Sequence, residues 1–220
     1  MFCVRKEPIP PKAEMDRALE LRHTKEVQEK LFHARVAVCG LGGLGSHIAV
    51  SLARCGIGGL HLIDFDCVDL TNLNRQQYFI HQVGMPKTEA LKEILLSVNP
   101  YLSIRTDMVR ITEENLAELL SEETCICEAF DVPETKAMLT NYVLEHFPEK
   151  YLVGASGMAG YGDSNRIRTR RILPHFYLCG DGDSDAELCG GLMAPRVMLC
   201  AAHQANQILE IIIKEGREDM

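Results

Sequence analysis

What the 220-residue sequence lacks narrows its class before any motif is considered. No run approaches the 18 apolar residues that a membrane-spanning helix needs, so no membrane partner is expected. Excess positive charge is also missing: 23 Lys+Arg stand against 31 Asp+Glu, a net charge of −8. A general nucleic-acid binder would lean the other way. The nine cysteines include no C-x-x-C pair of the kind a zinc ribbon or redox motif uses, Cys125 and Cys127 being one residue apart. Nine thiols cannot all pair, and several lie in apolar runs where Cys packs as a small hydrophobe, which points to a reducing compartment. The opening MFCVRKEPIPPKAEMDR has no apolar h-region of a signal peptide, so the expected location is the cytoplasm. Internal repeats and low-complexity tracts are absent too. What remains, 46% hydrophobic and 25% charged, is a globular composition. A chain of this length buries about 70% of its unfolded surface without a metal or disulfide staple. A single domain over 1–220 is expected, with a flexible start over 1–12.

Hydrophobic periodicity predicts the layout. Residues 13–33 read as one charged amphipathic helix with Leu19, Val27, Leu31 and Phe32 as apolar anchors. RVAVCG (35–40) is a strand running into a glycine turn and a helix. LHLIDFD (60–66) is a second strand, its continuous apolar character marking burial on both faces. Helices over 85–100, 114–120 and 133–147 alternate with strands over 101–109, 124–130 and 151–158. Alternation of this kind implies a Rossmann-like α/β fold, a mostly parallel, doubly wound sheet with helices on both faces. A later, mixed or antiparallel strand is expected at NRIRTRRIL (165–173), then a mobile acidic loop at 180–191 and an apolar helix over 192–214.

Gly40, Gly42, Gly43 and Gly45 follow a strand and open a helix, the context a nucleotide fingerprint requires. Such glycines let backbone approach a phosphate, and the helix N-terminus supplies N–H groups and positive potential. Asp64 and Asp66 stand about 20 residues later at a strand end, with Asp64 the natural acceptor for ribose hydroxyls. Asn72, Asn74, Arg75 and Gln76 follow, and Lys87 opens the next helix. An added Arg and Lys suit a triphosphate and a phosphoryl transition state better than a dinucleotide already served by the helix. Asp131 at the end of the fourth strand suits Mg²⁺ facing that triphosphate, or the N-cap of the following helix. The four arginines of the RIRTRR run (166–171) suit RNA or an acidic partner, or, the preferred reading, a solvated strand face that discourages edge pairing. Cys39 reads as core packing, and Met158, Met193 and Met198 suit packing or an adaptable groove.

GLGGLGS (40–46), DFD (64–66), NLNRQ (72–76), VGMPK (83–87) and GLMAPR (191–196) together resemble the ThiF/MoeB adenylyltransferase family, bacterial relatives of ubiquitin-activating enzymes. The resemblance runs from about residue 15 to residue 214. The short length, NLNRQQYF and RHTKEVQEKL look most like the compact ThiF type of thiamine biosynthesis. It implies ATP-dependent adenylation of the C-terminal glycine of a ubiquitin-like sulfur carrier, ThiS first and a molybdopterin-type or tRNA-thiolation carrier as alternative. The carrier would enter by its Gly-Gly tail, and a separate sulfur-donor protein would follow. ATP and Mg²⁺ are the implied cofactors. Arg75 and Lys87 match the family's phosphate positions, Asp131 its Mg²⁺ position, and Gly43 and Asp64 the positions at phosphates and ribose. The family also inserts an arginine from a partner subunit's N-terminal helix, Arg22 or else Arg17 here, which implies a homodimer. Other classes, an NAD(P)-binding oxidoreductase or a non-catalytic nucleotide-binding partner protein, lack a supporting His or Tyr-Lys constellation or leave Arg75, Lys87 and Asp131 without purpose.

Two departures stand out. Where relatives hold zinc with paired C-x-x-C motifs, this chain reads Phe176-Tyr177-Leu178-Cys179, so no structural zinc is expected. Relatives place a reactive cysteine before the GLMAP-like turn. Cys189 lies two residues out of register among Asp183, Asp185 and Glu187, which would raise a thiol pKa, so a covalent role and an inert one both stand.

Overall fold

The computed structural model describes residues 9–214. One seven-stranded sheet forms the centre, in the order β3-β2-β1-β4-β5-β7-β6. β1 (Arg35–Cys39), β2 (Gly59–Ile63), β3 (Ser103–Asp107), β4 (Cys125–Glu128) and β5 (Tyr151–Ala155) are parallel, and β7 (Phe176–Gly180) continues them. β6 (Arg168–Leu173) is antiparallel to β7 and closes the edge. Every residue of β2 is buried, as its unbroken apolar run requires. One face carries α3 (Gly43–Arg54), α4 (Lys87–Val98) and the long α7 (Ala194–Lys214), with Val36, Val38, Leu60 and Leu62 beneath them. The other carries α5 (Glu113–Leu119) and α6 (Pro133–His146) over Ala37, Cys39, Ile63 and Ile126.

Two features depart from the sequence expectation. Residues 13–33 are not one helix. α1 (Lys12–Glu20) ends at Leu21, and α2 (Lys25–His33) restarts after Thr24, whose hydroxyl accepts from Val27 N–H. That side chain supplies the cap a new helix N-terminus needs. Leu31 is the buried anchor, while Phe32 is half exposed. The second feature is β7, a buried strand where only a degenerate ligand motif was legible. Residues 1–8 of the expected flexible start lie outside the described residues.

The winding direction of the sheet reverses between β1 and β4, and ligands of such sheets bind at that switch, beyond the carboxyl ends of the strands. Gly40, with φ +92°, turns the chain there so tightly that a Cβ would sit 2.9 Å from the Ala129 carbonyl oxygen after β4.

Candidate active site

A cleft of about 1130 Å³ opens at this switch point. Gly40, Gly42, Gly43, Asp64, Asp66, Asn72, Arg75, Gln76, Lys87 and Asp131 all line it, ten residues drawn from three strand-to-helix connections into one concavity. Its floor is the N-terminus of α3. Gly42 caps that helix without a side-chain hydrogen bond. The N–H groups of the first turn therefore face the cleft with positive potential. A Cβ at Gly43 would come within 2.8 Å of Val197, so the turn is closed to side chains from that side.

Asp64 is buried at the end of β2 and accepts from Leu41 N–H at 2.6 Å and Asp66 N–H at 2.8 Å. Tyr78 clamps the same turn by donating to the Leu41 carbonyl at 2.8 Å. Burial pushes the Asp64 carboxyl up, against the Lys87 charge and the two N–H donors. Lys87 is buried and committed: its Nζ lies 2.7 Å from Asp66 and 4.0 Å from Asp64. The sequence expectation put Lys87 at the phosphates and Asp66 among the nucleotide-binding residues. The structure also ties the two to each other.

Arg75 supplies the positive charge that Lys87 does not. Its guanidinium donates to neutral acceptors, Asn74 Oδ1 at 2.9 Å and the Thr71 carbonyl at 3.4 Å, and no carboxylate pairs with it among the described residues. The side chain lies over the glycine turn, Cγ 3.5 Å from where a Gly43 Cβ would be. Gln76 is buried beside it with Oε1 lacking any partner. An orphaned acceptor at the cleft wall is an unmet hydrogen-bonding demand that a donor-bearing ligand would satisfy. Asn72 lines the cleft while its Oδ1 accepts from Asp69 N–H.

Asp131 lies in the cleft wall, exposed, and makes no hydrogen bond or ion pair among the described residues. It does not cap α6, whose N-cap is Val132. A free carboxylate facing an open cleft fits a hard cation. Behind it, buried Glu128 accepts from Lys136 Nζ at 2.8 Å and Phe130 N–H at 2.8 Å, and Lys136 also donates to the Phe130 carbonyl at 2.9 Å. This pair, which the sequence did not flag, holds the turn that carries Asp131. Phe65 and Arg110, stacked at 4.0 Å, also line the cleft and were not flagged. Their only signal was position after β2 and β3.

Some expected residues lie elsewhere. Gly45 does not line the cleft: a Cβ there would be 1.9 Å from the Gly40 carbonyl oxygen, so this glycine seats α3 on its turn. Asn74 donates to the Leu192 carbonyl at 3.2 Å and accepts from Arg75, bracing rather than lining the site. Arg22 and Arg17 are exposed at the opposite end of the molecule. Gln28 of α2 donates there to the Gly56 carbonyl at 3.1 Å, past the far end of α3. Twelve helical residues, about 18 Å, separate that end from the glycine turn. Cys189 is half buried, its backbone packed on Gly160, and does not line the cleft. Cys39 is fully buried and its thiol is pushed up by desolvation, as a core residue's would be.

The 180–191 loop is tied down by the arginine of GLMAPR. Arg196 pairs with Asp181, both buried, and donates to the Asp163 carbonyl at 3.1 Å. Burial alone would push the Asp181 carboxyl up. Hydrogen bonds from Ser184 and Asp183 and the Arg196 charge outweigh it and hold the pKa at about 2.

This fold, with a cleft at the switch point of its sheet, defines an α/β protein of the doubly wound class. Comparison with known proteins narrows the class. The chain belongs to the ThiF family, whose model matches residues 15–220. It is 35% identical to the molybdopterin-synthase adenylyltransferase of Haemophilus influenzae, over 93% of this chain and 88% of that protein. It is 31% identical to the adenylyltransferase and sulfurtransferase UBA4 of Candida glabrata, over 84% of this chain but 44% of that protein. The chain thus spans less than half the length of that relative. Among solved structures, Escherichia coli tRNA N6-threonylcarbamoyladenosine dehydratase, TcdA, in complex with ATP superposes with a TM-score of 0.84. That match covers 96% of this chain and all of TcdA at 22% identity, a likeness of fold.

Proposed function

We propose that the chain uses ATP to adenylate the C-terminal glycine of a ubiquitin-like sulfur carrier. The observation that carries this is the convergence of an open α3 N-terminus, unneutralised Arg75 and free Asp131 on one cleft. The carrier's carboxylate attacks the α-phosphorus, an acyl–phosphate bond forms, the bond to the β-phosphate oxygen breaks, and pyrophosphate leaves. Two anions must meet, so catalysis consists mainly of positive potential placed where charge concentrates. Arg75 and the α3 N–H groups serve the phosphates and Asp64 the ribose. Asp131 would hold Mg²⁺, which would neutralise phosphate charge. Lys87 acts once a phosphate competes with Asp66 for it. The far placement of Arg22 and Arg17 fits a role in a second copy's cleft, so the active form is proposed to be a homodimer.

The relatives bear on the carrier. A molybdopterin-synthase adenylyltransferase aligned over nearly its full length favours a molybdopterin-type carrier over the ThiS first expected. The test is ATP–pyrophosphate exchange with molybdopterin-type, tRNA-thiolation and ThiS-like carriers, each with an intact or truncated terminal glycine. Exchange with the intact molybdopterin-type carrier is expected. Exchange only with ThiS restores the thiamine assignment. Silence with every carrier, in a protein still stabilised by MgATP but not NAD(P), contradicts the activity.

A further inference from the structure

We infer that His47, with its neighbour Ser46, is a positioning residue that holds Arg75 at the glycine turn. This rests on the reading of Arg75 as the phosphate-facing cation. Both residues sit one turn into α3, facing the Arg75–Gln77 backbone rather than the cleft. His47 Nε2 lies 3.1 Å from the Arg75 carbonyl, and Nδ1 lies 2.6 Å from Gln77 Nε2. A carbonyl only accepts, so Nε2 must carry the proton. In a neutral imidazole Nδ1 then accepts from the Gln77 amide. The two contacts select the same tautomer and are mutually consistent. Burial disfavours the imidazolium, which keeps Nδ1 an acceptor. Ser46 adds a third tie, accepting from Gln77 N–H at 3.2 Å while donating to the Gly42 carbonyl at 2.7 Å.

One helical turn therefore couples the two halves of the phosphate site. The same segment that presents α3 N–H groups also fixes the carbonyl of Arg75, whose Cγ and Cδ lie 3.5 and 3.7 Å from where a Gly43 Cβ would be. Among the described residues the Arg75 guanidinium donates to neutral, partly exposed acceptors. Its backbone is where order can be imposed, since a misplacement of about 1 Å costs up to 100-fold in rate. Among the described residues no other histidine hydrogen-bonds to this segment, and the sequence offered no metal spacing that would have singled out His47.

The experiment is a double-mutant cycle with a conservative rescue. His47→Phe keeps the packing volume and removes both hydrogen bonds, whereas His47→Gln retains an amide donor toward the Arg75 carbonyl. In carrier-dependent exchange, His47→Phe is expected to lower kcat/KM for ATP about tenfold, and His47→Gln to recover most of it. In the Arg75→Ala background, His47→Phe should have no further effect, because the group it positions is gone. Multiplying effects, or wild-type kinetics in folded His47→Phe, overturn the inference. If wild-type protein exchanges with no carrier, the activity reading fails, and the same cycle is read from ATP dissociation constants. A tenfold weakening that vanishes without Arg75 upholds the positioning role. An unchanged dissociation constant, or no ATP binding by the wild type, refutes it.

Discussion

Gly42 and Gly45 stand three residues apart in one motif and answer to different physics. A Cβ at Gly42 meets nothing closer than Gln76 Nε2 at 3.8 Å, so the room it occupies is room for a ligand. A Cβ at Gly45 would collide with the Gly40 backbone, which cannot swing aside as a side chain can. Gly42→Ala is therefore expected to melt within a few degrees of wild type yet lose most MgATP-induced stabilisation. Gly45→Ala should lose about 1–3 kcal/mol or more of stability with or without nucleotide, measured by urea unfolding. The two cations separate in the same way. Arg75→Ala should leave folding nearly unchanged and cost about 3–4 kcal/mol in the exchange transition state. Lys87→Ala should cost activity and stability together, because Asp64 would be left buried without its nearby cation.

Among the elements, the loop after β7 is joined to the first turn of α7 by the ion pair between Asp181 and Arg196. The Asp181 carboxyl is depressed in the fold relative to its unfolded value of 3.8, so its stabilisation is full above pH 4 and lost as pH falls toward 2. Urea midpoints of wild type should fall across that window more steeply than those of Asp181→Asn, and parallel curves would contradict the assignment. The same elements show what was legible in sequence. β1, β2, β4 and β5 announced themselves by short apolar runs, and the glycine turn by its place between strand and helix. The break at Thr24 hid because hydroxyl capping competes with a helical pattern that continues past it. β7 hid because Phe176–Cys179 matched a ligand motif that drew the reading away from its apolar character. Within the site, position along the chain located Lys87 and Asp66 but not their mutual pairing, which depends on how the 66–86 loop returns to the sheet. Arg196 was visible as the end of the GLMAPR motif but its pairing with Asp181 was not, and Glu128 and Lys136 gave no signal, since buried ion pairs carry no periodicity.

For the whole molecule, the cleft and the N-terminal arginines lie at opposite ends. The cleft is assembled by the sheet's switch point, whereas the N-terminal arginines sit a helix length away behind Gly56. If a second copy supplies Arg22, mixing Arg22→Ala protein with Arg75→Ala protein should restore exchange above either alone, since one mixed cleft is then intact. Additive residual activities would instead place the arginine outside the reaction. The central claim, activation of a terminal carboxylate by ATP in this cleft, is tested most directly by mass spectrometry of the carrier after incubation with MgATP and the enzyme. The account predicts a molybdopterin-type carrier that gains one AMP, only when its terminal glycine is intact and only with Arg75 present. A carrier that stays unmodified while the folded enzyme binds ATP would contradict it.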